Sequence, residues 1–140
     1  MSNPENILKK HGLRITSFRN EVVQLFLESR HALSNQDIEQ SLGNPDRITL
    51  YRTLKNFEEK GIIHRAVDGT TTSKYALCES DCTEHKHQDE HVHFYCERCK
   101  NTFCIDEVEV PHVRLPDGYI AMTTNMVIQG ICKSCMEIEN

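Results

Sequence analysis

Cys96-Glu97-Arg98-Cys99 and Cys132-Lys133-Ser134-Cys135 set two CxxC pairs in the second half of a 140-residue chain. Each pair can place two thiolates on one metal. Four soft sulfurs favour tetrahedral zinc, and four protein ligands leave no open position for chemistry. The pattern predicts one structural zinc per chain. The 32 residues between Cys99 and Cys132 exceed the roughly 15–20 of a compact zinc ribbon. The intervening segment must therefore form its own strands and return.

A second group precedes Cys96: His85, His87, His91 and His93. On a strand, His91 and His93 share one face and make a bidentate metal pair. Cys78, Cys82 and Cys104 are further thiols, and His64 lies in a predicted hairpin. Imidazole with thiolate suits zinc better than oxygen-preferring metals. His85 and His87 read equally well as ligands or as part of a solvated acidic segment.

A third group sits on a predicted helix. Ile48, Thr49, Arg52, Lys55 and Asn56 project away from the Leu50/Leu54/Phe57 stripe, with Tyr51 at the flank. Arg reads guanine bidentately, and Thr or apolar groups contact the thymine methyl, when such a face enters the major groove of double-stranded DNA. Arg14, Arg19 and Arg65 are available for phosphate or minor-groove contacts.

The elements that must hold these groups follow from periodicity. Residues 1–60 read as helical. Ile7 and Leu8 lie in a short opening turn closed by Gly12. Thr16 caps a helix to about Ser29, with Phe18, Val22, Leu25 and Phe26 on one face. Ser34 and Asp37 form a capping-box pattern for a third helix, ended by Gly43-Asn44-Pro45. Asp46 caps a fourth, running to Lys60 and stopped by Gly61. Ile62–Val67 and Ser73–Leu77 read as strands around an Asp68-Gly69 turn. Three packed helices and a hairpin make a winged helix-turn-helix. Residues 79–90 contain no aliphatic or aromatic residue, are rich in Glu, Asp, His and Lys, and read as a linker. Strands are expected at His91–Tyr95, Thr102–Ile105, Tyr119–Thr123 and Met126–Ile131.

Composition narrows the classes. No apolar run is long enough for a membrane span, and Met1–Lys10 has no signal-peptide core. A cytoplasmic protein with reduced thiols is expected, in which seven cysteines mean metal or redox chemistry before disulfides. The net charge of −5 is asymmetric. Residues 1–75 carry 11 Lys/Arg and 9 Asp/Glu, a balance of +2, whereas residues 76–140 carry 5 and 12, a balance of −7. The first half suits a polyanion, and the second repels one unless bound cations offset its charge.

In order and spacing, LKKHGLRIT, ITLYRTL with EEKGII, HVHFYC and the two CxxC pairs resemble the ferric uptake regulator (Fur) family over nearly the whole chain. The resemblance implies an α+β fold: a winged-helix DNA-binding domain over 1–78, a hinge over 79–90 and a small α/β dimerisation domain with a four-cysteine zinc site over 91–140. It implies a homodimer on a palindromic operator. By position, Cys96, Cys99, Cys132 and Cys135 match the structural zinc ligands. Arg14 matches a minor-groove residue, and Tyr51 and Arg52 match base-reading positions. His91 and His93 match sensory histidines.

Departures from the pattern favour one branch. Tyr75 is followed by Ala76 where iron and peroxide sensors carry a carboxylate, and Cys104 stands where another is usual. His31 is one position early, with Ala32 in its place. Cys78 falls where the zinc uptake regulator (Zur) branch has a cysteine ligand, and His64 where some of that branch have another. A regulatory site of His64, Cys78, His91 and His93 is therefore expected, with Cys104, Cys82, His85, His87 and Glu90 as further candidates. A third family site is incomplete: Val92 replaces a ligand, and Thr124 or Asn125 a late histidine. The expectation is a metal-dependent repressor of metal-homeostasis genes, responsive to zinc, with iron, manganese or peroxide as the alternative signals. A redox sensor built on Cys78, Cys82 and Cys104 is a second class. A zinc deaminase is disfavoured, since His91-Val92-His93 lacks the catalytic Glu two residues after the His.

Overall fold

The computed structural model describes residues 3–78, 92–105, 107–122 and 124–139. Four helices, with one short strand between the second and third, lie within the first 59 residues, and each is opened by a side chain that satisfies an otherwise unpaired N–H. In α1 (Pro4–Lys10) Asn3 accepts from the Asn6 N–H at 2.8 Å. The opening turn expected around Ile7 is thus a seven-residue helix. In α2 (Ser17–Glu28) the Thr16 hydroxyl accepts from the Arg19 N–H at 3.1 Å. α3 (Asn35–Ser41) has a reciprocal box: Asp37 N–H donates to Ser34 Oγ and Ser34 N–H to Asp37 Oδ2, both at 3.1 Å. In α4 (Arg47–Glu59) the Asp46 carboxylate accepts from the Thr49 N–H at 3.0 Å and its hydroxyl at 2.8 Å. The caps at Thr16, Ser34 and Asp46 are those the sequence predicts.

The apolar faces of these helices converge. Val22, Val23 and Phe26, Ile38, and Leu50, Leu54 and Phe57 pack with Leu8, Ile62, Ile63 and Tyr75 into one core. Burying an aliphatic or Phe side chain of this kind contributes roughly 1.5–3 kcal/mol, so the face of α4 opposite the core is held in place by the core itself.

A small antiparallel sheet closes this unit, in the order β1 (Leu33–Ser34), β3 (Lys74–Leu77), β2 (Ile63–Arg65). β2 is shorter than expected, because pairing runs only from Ile63↔Leu77 to Arg65↔Tyr75. β1 is not announced by the sequence. Its extended state comes from pairing Leu33 with Tyr75 and Ser34 with Lys74.

The second sheet runs β5 (Thr102–Ile105), β4 (Val92–Cys96), β6 (Met126–Gly130). β4 and β5 are antiparallel, with His93 opposite Cys104, Phe94 opposite Phe103 and Tyr95 opposite Thr102. β4 and β6 are parallel, from Val92↔Met126 to Cys96↔Gly130. Directly opposed residues point to one face. His93, Tyr95, Thr102 and Cys104 therefore share a face, and Phe94 and Phe103 occupy the other.

The crossover from β5 to β6 carries no helix or strand among its described residues. The strand expected at Tyr119–Thr123 does not form over Tyr119–Met122. Tyr119 N–H donates to Pro116 O at 3.3 Å in a turn whose Gly118 lies at φ 92°. Ile120 and Met122 are 85% and 88% exposed, so no neighbouring strand receives them; Thr123 lies outside the described residues. α5 (Lys133–Glu139) ends the chain's regular structure. The expected linker, 79–90, lies outside the described residues. Among the described residues no helix is long and apolar enough to cross a membrane.

Candidate metal centres and nucleic-acid interface

The turn after β4 and the start of α5 bring the four CxxC cysteines together, with all ligand atoms within 4.8 Å of one another. Cys96 Sγ lies 3.7 Å from Cys135 Sγ, and Cys99 Sγ 3.8 Å from Cys132 Sγ. Two thiolates on a tetrahedral zinc at about 2.3 Å stand roughly 3.8 Å apart, so the donor set fits that metal. Cys96 Sγ also accepts from the N–H groups of Cys99 and Cys132, each at 3.4 Å. Burial pushes the Cys96 thiol up, but the backbone N–H groups of Cys99, Cys132 and Arg98 outweigh it and bring it down to about 6. Burial and the adjacent thiols push Cys135 up to about 12. Phe94, Phe103 and Ile131 pack against these sulfurs, so the second core is centred on the cluster.

A second cluster lies on the other face of the sheet. The ligand atoms of His64, His93 and Cys104 all fall within 4.8 Å of one another. His64 Nε2 is 3.7 Å from Cys104 Sγ, and the His64 and His93 ring centroids are 5.9 Å apart. His64 and His93 are only 2% and 3% exposed. A nitrogen and a sulfur on one tetrahedral zinc stand about 3.5 Å apart, so this donor set also fits. The hairpin explains the pairing of His93 with Cys104: Cys96 N–H donates to Asn101 O at 3.0 Å, which fixes the register outward from the knuckle. That signal was present in the sequence, since counting back from a turn at Cys96–Asn101 sets those two residues opposite each other.

The other candidate ligands are placed differently. Cys78 is half-buried just beyond β3, its N–H donating to Ile62 O at 2.9 Å, and it is not one of the three residues within that 4.8 Å group. His31 Nδ1 sits 2.9 Å from Ala32 O, and its ring meets Phe103 edge-on with centroids 6.3 Å apart. Cys82, His85, His87, Glu90 and His91 lie outside the described residues.

On α4, Arg47, Ile48, Thr49, Tyr51, Arg52 and Lys55 are exposed and Asn56 is half-buried. The Thr49 hydroxyl is engaged by Asp46. Tyr51 Oη donates to Glu39 Oε1 at 3.0 Å, and Arg47 Nε lies 3.3 Å from the same oxygen. This hydrogen bond to Glu39 raises the Tyr51 phenol above its ordinary value. Sequence reasoning missed Glu39, which bridges α3 and α4 through an acidic residue on an otherwise basic face. Arg19 donates to Arg14 O at 2.8 Å and holds the turn on which the exposed Arg14 stands. Arg65 is engaged by Glu58 at 3.3 Å and lies over the Tyr75 ring.

Residues 10–132 match the ferric uptake regulator family. The chain belongs to that family. It is accordingly a metal-responsive transcription regulator and not an enzyme. The ferric uptake regulation protein of Staphylococcus aureus is 31% identical over 137 residues, covering 94% of each chain. The peroxide operon regulator of Bacillus subtilis is 28% identical, covering 95% of this chain and 91% of that one. The fold is also that of the Helicobacter pylori ferric uptake regulator (TM-score 0.57, 21% identity, all of both chains). It is likewise that of a zinc uptake regulator complexed with zinc and DNA (TM-score 0.63, 22% identity, 96% and 91%). These likenesses span several branches of the family.

Proposed function

We propose that this family member is a zinc-responsive repressor that binds a palindromic operator in double-stranded DNA as a homodimer. The observation that carries the reading is the buried His64–His93–Cys104 cluster, whose ligands come from two different sheets. The thiol of Cys104 favours zinc over iron(II) or manganese(II), which prefer harder donors. A fourth ligand comes from Cys78, His91 or the segment carrying Cys82, His85, His87 and Glu90. Cys96, Cys99, Cys132 and Cys135 hold the structural zinc. In domain terms, residues 1–78 bind DNA, 79–90 form the hinge and 91–140 dimerise.

A bound cation supplies a cross-link between β2 and the β4–β5 hairpin, and positive charge in the half of the chain with the −7 balance. The chain itself transmits the constraint. β2 follows α4 almost directly: Ile62 N–H donates to Phe57 O at 2.8 Å, and Gly61 N–H to Glu58 O at 3.2 Å. Fixing His64 therefore fixes the axis of α4. Tyr51 and Arg52 then face base edges, Arg14 the minor groove, and Arg19, Thr49 and Lys55 the backbone. In a dimer the two copies of α4 must sit about 34 Å apart to meet successive half-sites. Metal favours that closed arrangement because its ligands converge only there.

The test selects binding sequences from a randomised duplex pool, using protein already loaded at the four-cysteine site. Free zinc, iron(II) and manganese(II) are varied separately. The reading expects a two-fold symmetric sequence to be enriched with zinc and lost in chelator or in His64→Ala. Equal enrichment in chelator, or enrichment driven only by iron or manganese, sinks it.

A further inference from the structure

Between the wing and the second sheet lies a buried polar group that neither metal site uses. Lys74, at the start of β3, sends its ammonium into the junction. It reaches Lys100 O at 2.8 Å, Thr102 Oγ1 at 3.0 Å and Asp68 Oδ2 at 3.0 Å. An ammonium has three donors, and three acceptors meet it. The Tyr95 ring lies 5.0 Å below. The Thr102 hydroxyl donates to Asp68 Oδ2 at 2.6 Å, and Asp68 Oδ1 accepts from the Thr70 N–H and hydroxyl at 2.9 and 2.6 Å. The side chains of Asp68 and Lys74 are only 1% and 10% exposed. Beside them, the Ala32 N–H donates to Thr102 O at 2.7 Å.

Asp68, Thr70 and Lys74 belong to the wing, while Lys100 and Thr102 belong to the knuckle and β5. Burying an ion pair costs much of what its attraction returns, whereas its directional bonds admit one arrangement of the parts. A well-packed apolar contact would hold the two units together with less directional demand. A satisfied ion pair at this junction specifies how they meet. It also lies on the sheet face that carries His93 and Cys104, and in the hairpin that carries His64.

We propose that Asp68, Lys74 and Thr102 form a metal-independent latch that seats the wing on the second sheet and thereby pre-aligns His64 with His93 and Cys104. All three are positioning residues. The proposal rests on the reading of that cluster as the regulatory site. With the latch engaged, less of the metal's binding free energy is spent on closing the hinge, so metal affinity reflects the latched fraction.

Two variants test it in the full chain, loaded with zinc at the four cysteines. Thr102→Val keeps the shape and removes the hydroxyl. Asp68→Asn with Lys74→Met removes both charges together, so that neither is left buried alone. The first readout needs no second metal: hydrogen exchange at the Ala32 amide, whose backbone acceptor survives both changes. Protection at Ala32 is expected to fall while that of the α4 amides stays. The second readout is a cobalt(II) titration of the His64–His93–Cys104 cluster by absorbance. Affinity is expected to drop about tenfold, within the usual span for coupled sites. Undiminished protection at Ala32 in both variants overturns the latch. Lost protection with unchanged cobalt affinity overturns its role in pre-alignment. If wild-type protein takes up no cobalt beyond the four-cysteine site, the regulatory reading fails, and the Ala32 readout still decides the latch.

Discussion

On the proposed reading, the choice of metal turns on Cys104. It faces His93 across the β4–β5 pair and reaches His64 from there. Replacing it with Asp exchanges a soft ligand for a hard one while keeping a negative charge. Cys104→Asp is expected to weaken zinc and cobalt binding and to narrow their advantage over manganese(II), as read by competition titration. An unchanged metal ranking would show that Cys104 is not a ligand. Glu39 makes a separate claim on the DNA side. As the shared acceptor of Tyr51 and Arg47 it fixes the direction of the Tyr51 hydroxyl. Glu39→Ala is expected to reduce discrimination between the selected sequence and random duplex while leaving non-specific binding intact or slightly tighter. Loss of both in equal measure would mean that Glu39 supports only the fold. Thr102 and Lys74 had no signal in the sequence, because a threonine and a lysine in strands read as solvated until a partner about 30 residues away is known.

Among the elements, what was legible was what is local. The caps at Thr16, Ser34 and Asp46 bond within three residues, so their chemistry is written in consecutive letters. Ser34→Ala is expected to cost about 1 kcal/mol. For a unit of this size that lowers the melting temperature by roughly 4–8 °C, measurable by circular dichroism. What was not legible depends on distant partners. β1 is extended because Tyr75 and Lys74 lie beside it. The short apolar run at Tyr119–Met122 suggests a strand, but Ile120 and Met122 stand exposed and pair with no strand among the described residues. α5 was hidden because its first turn reads as a zinc ligand pair. The site was partly legible on the same terms. The two CxxC pairs announce themselves by spacing, whereas His64 and Cys104 are 40 residues apart and meet only through the docking of two sheets.

At the scale of the molecule, acidity should act through the junction. Burial alone would raise the Asp68 carboxyl, but bonds from Thr102, Thr70 and Lys74 hold it far below the ordinary 3.8. A carboxyl depressed in the folded state contributes stability that is present above its unfolded value and is lost as pH falls toward the folded one. The stability difference between wild type and the Asp68→Asn, Lys74→Met pair is therefore expected to be level above about pH 5 and to shift only below about pH 4. Denaturant unfolding across that range measures it, and a change centred near neutrality would assign the effect to other groups. The two cores also differ in kind. On the proposed reading zinc sits at the centre of the Phe94–Phe103–Ile131 core, and stripping it is expected to loosen that core while leaving the helical one intact. Chelator is expected to abolish amide protection in β4, β5, β6 and α5 before it touches α2 and α4. The parallel pairing of β4 with β6 adds a kinetic consequence. Its register joins residues 34 positions apart in every pair, from Val92↔Met126 to Cys96↔Gly130, and such non-local pairing is slow to form because a long loop must close first. Cys96 and Cys132 flank the end of that ladder, so one zinc held between them early in folding would shorten the search by tethering the loop. The metal proposed to be structural in the finished protein would then also guide its assembly as a bound template, and refolding of the second sheet should accelerate with zinc concentration.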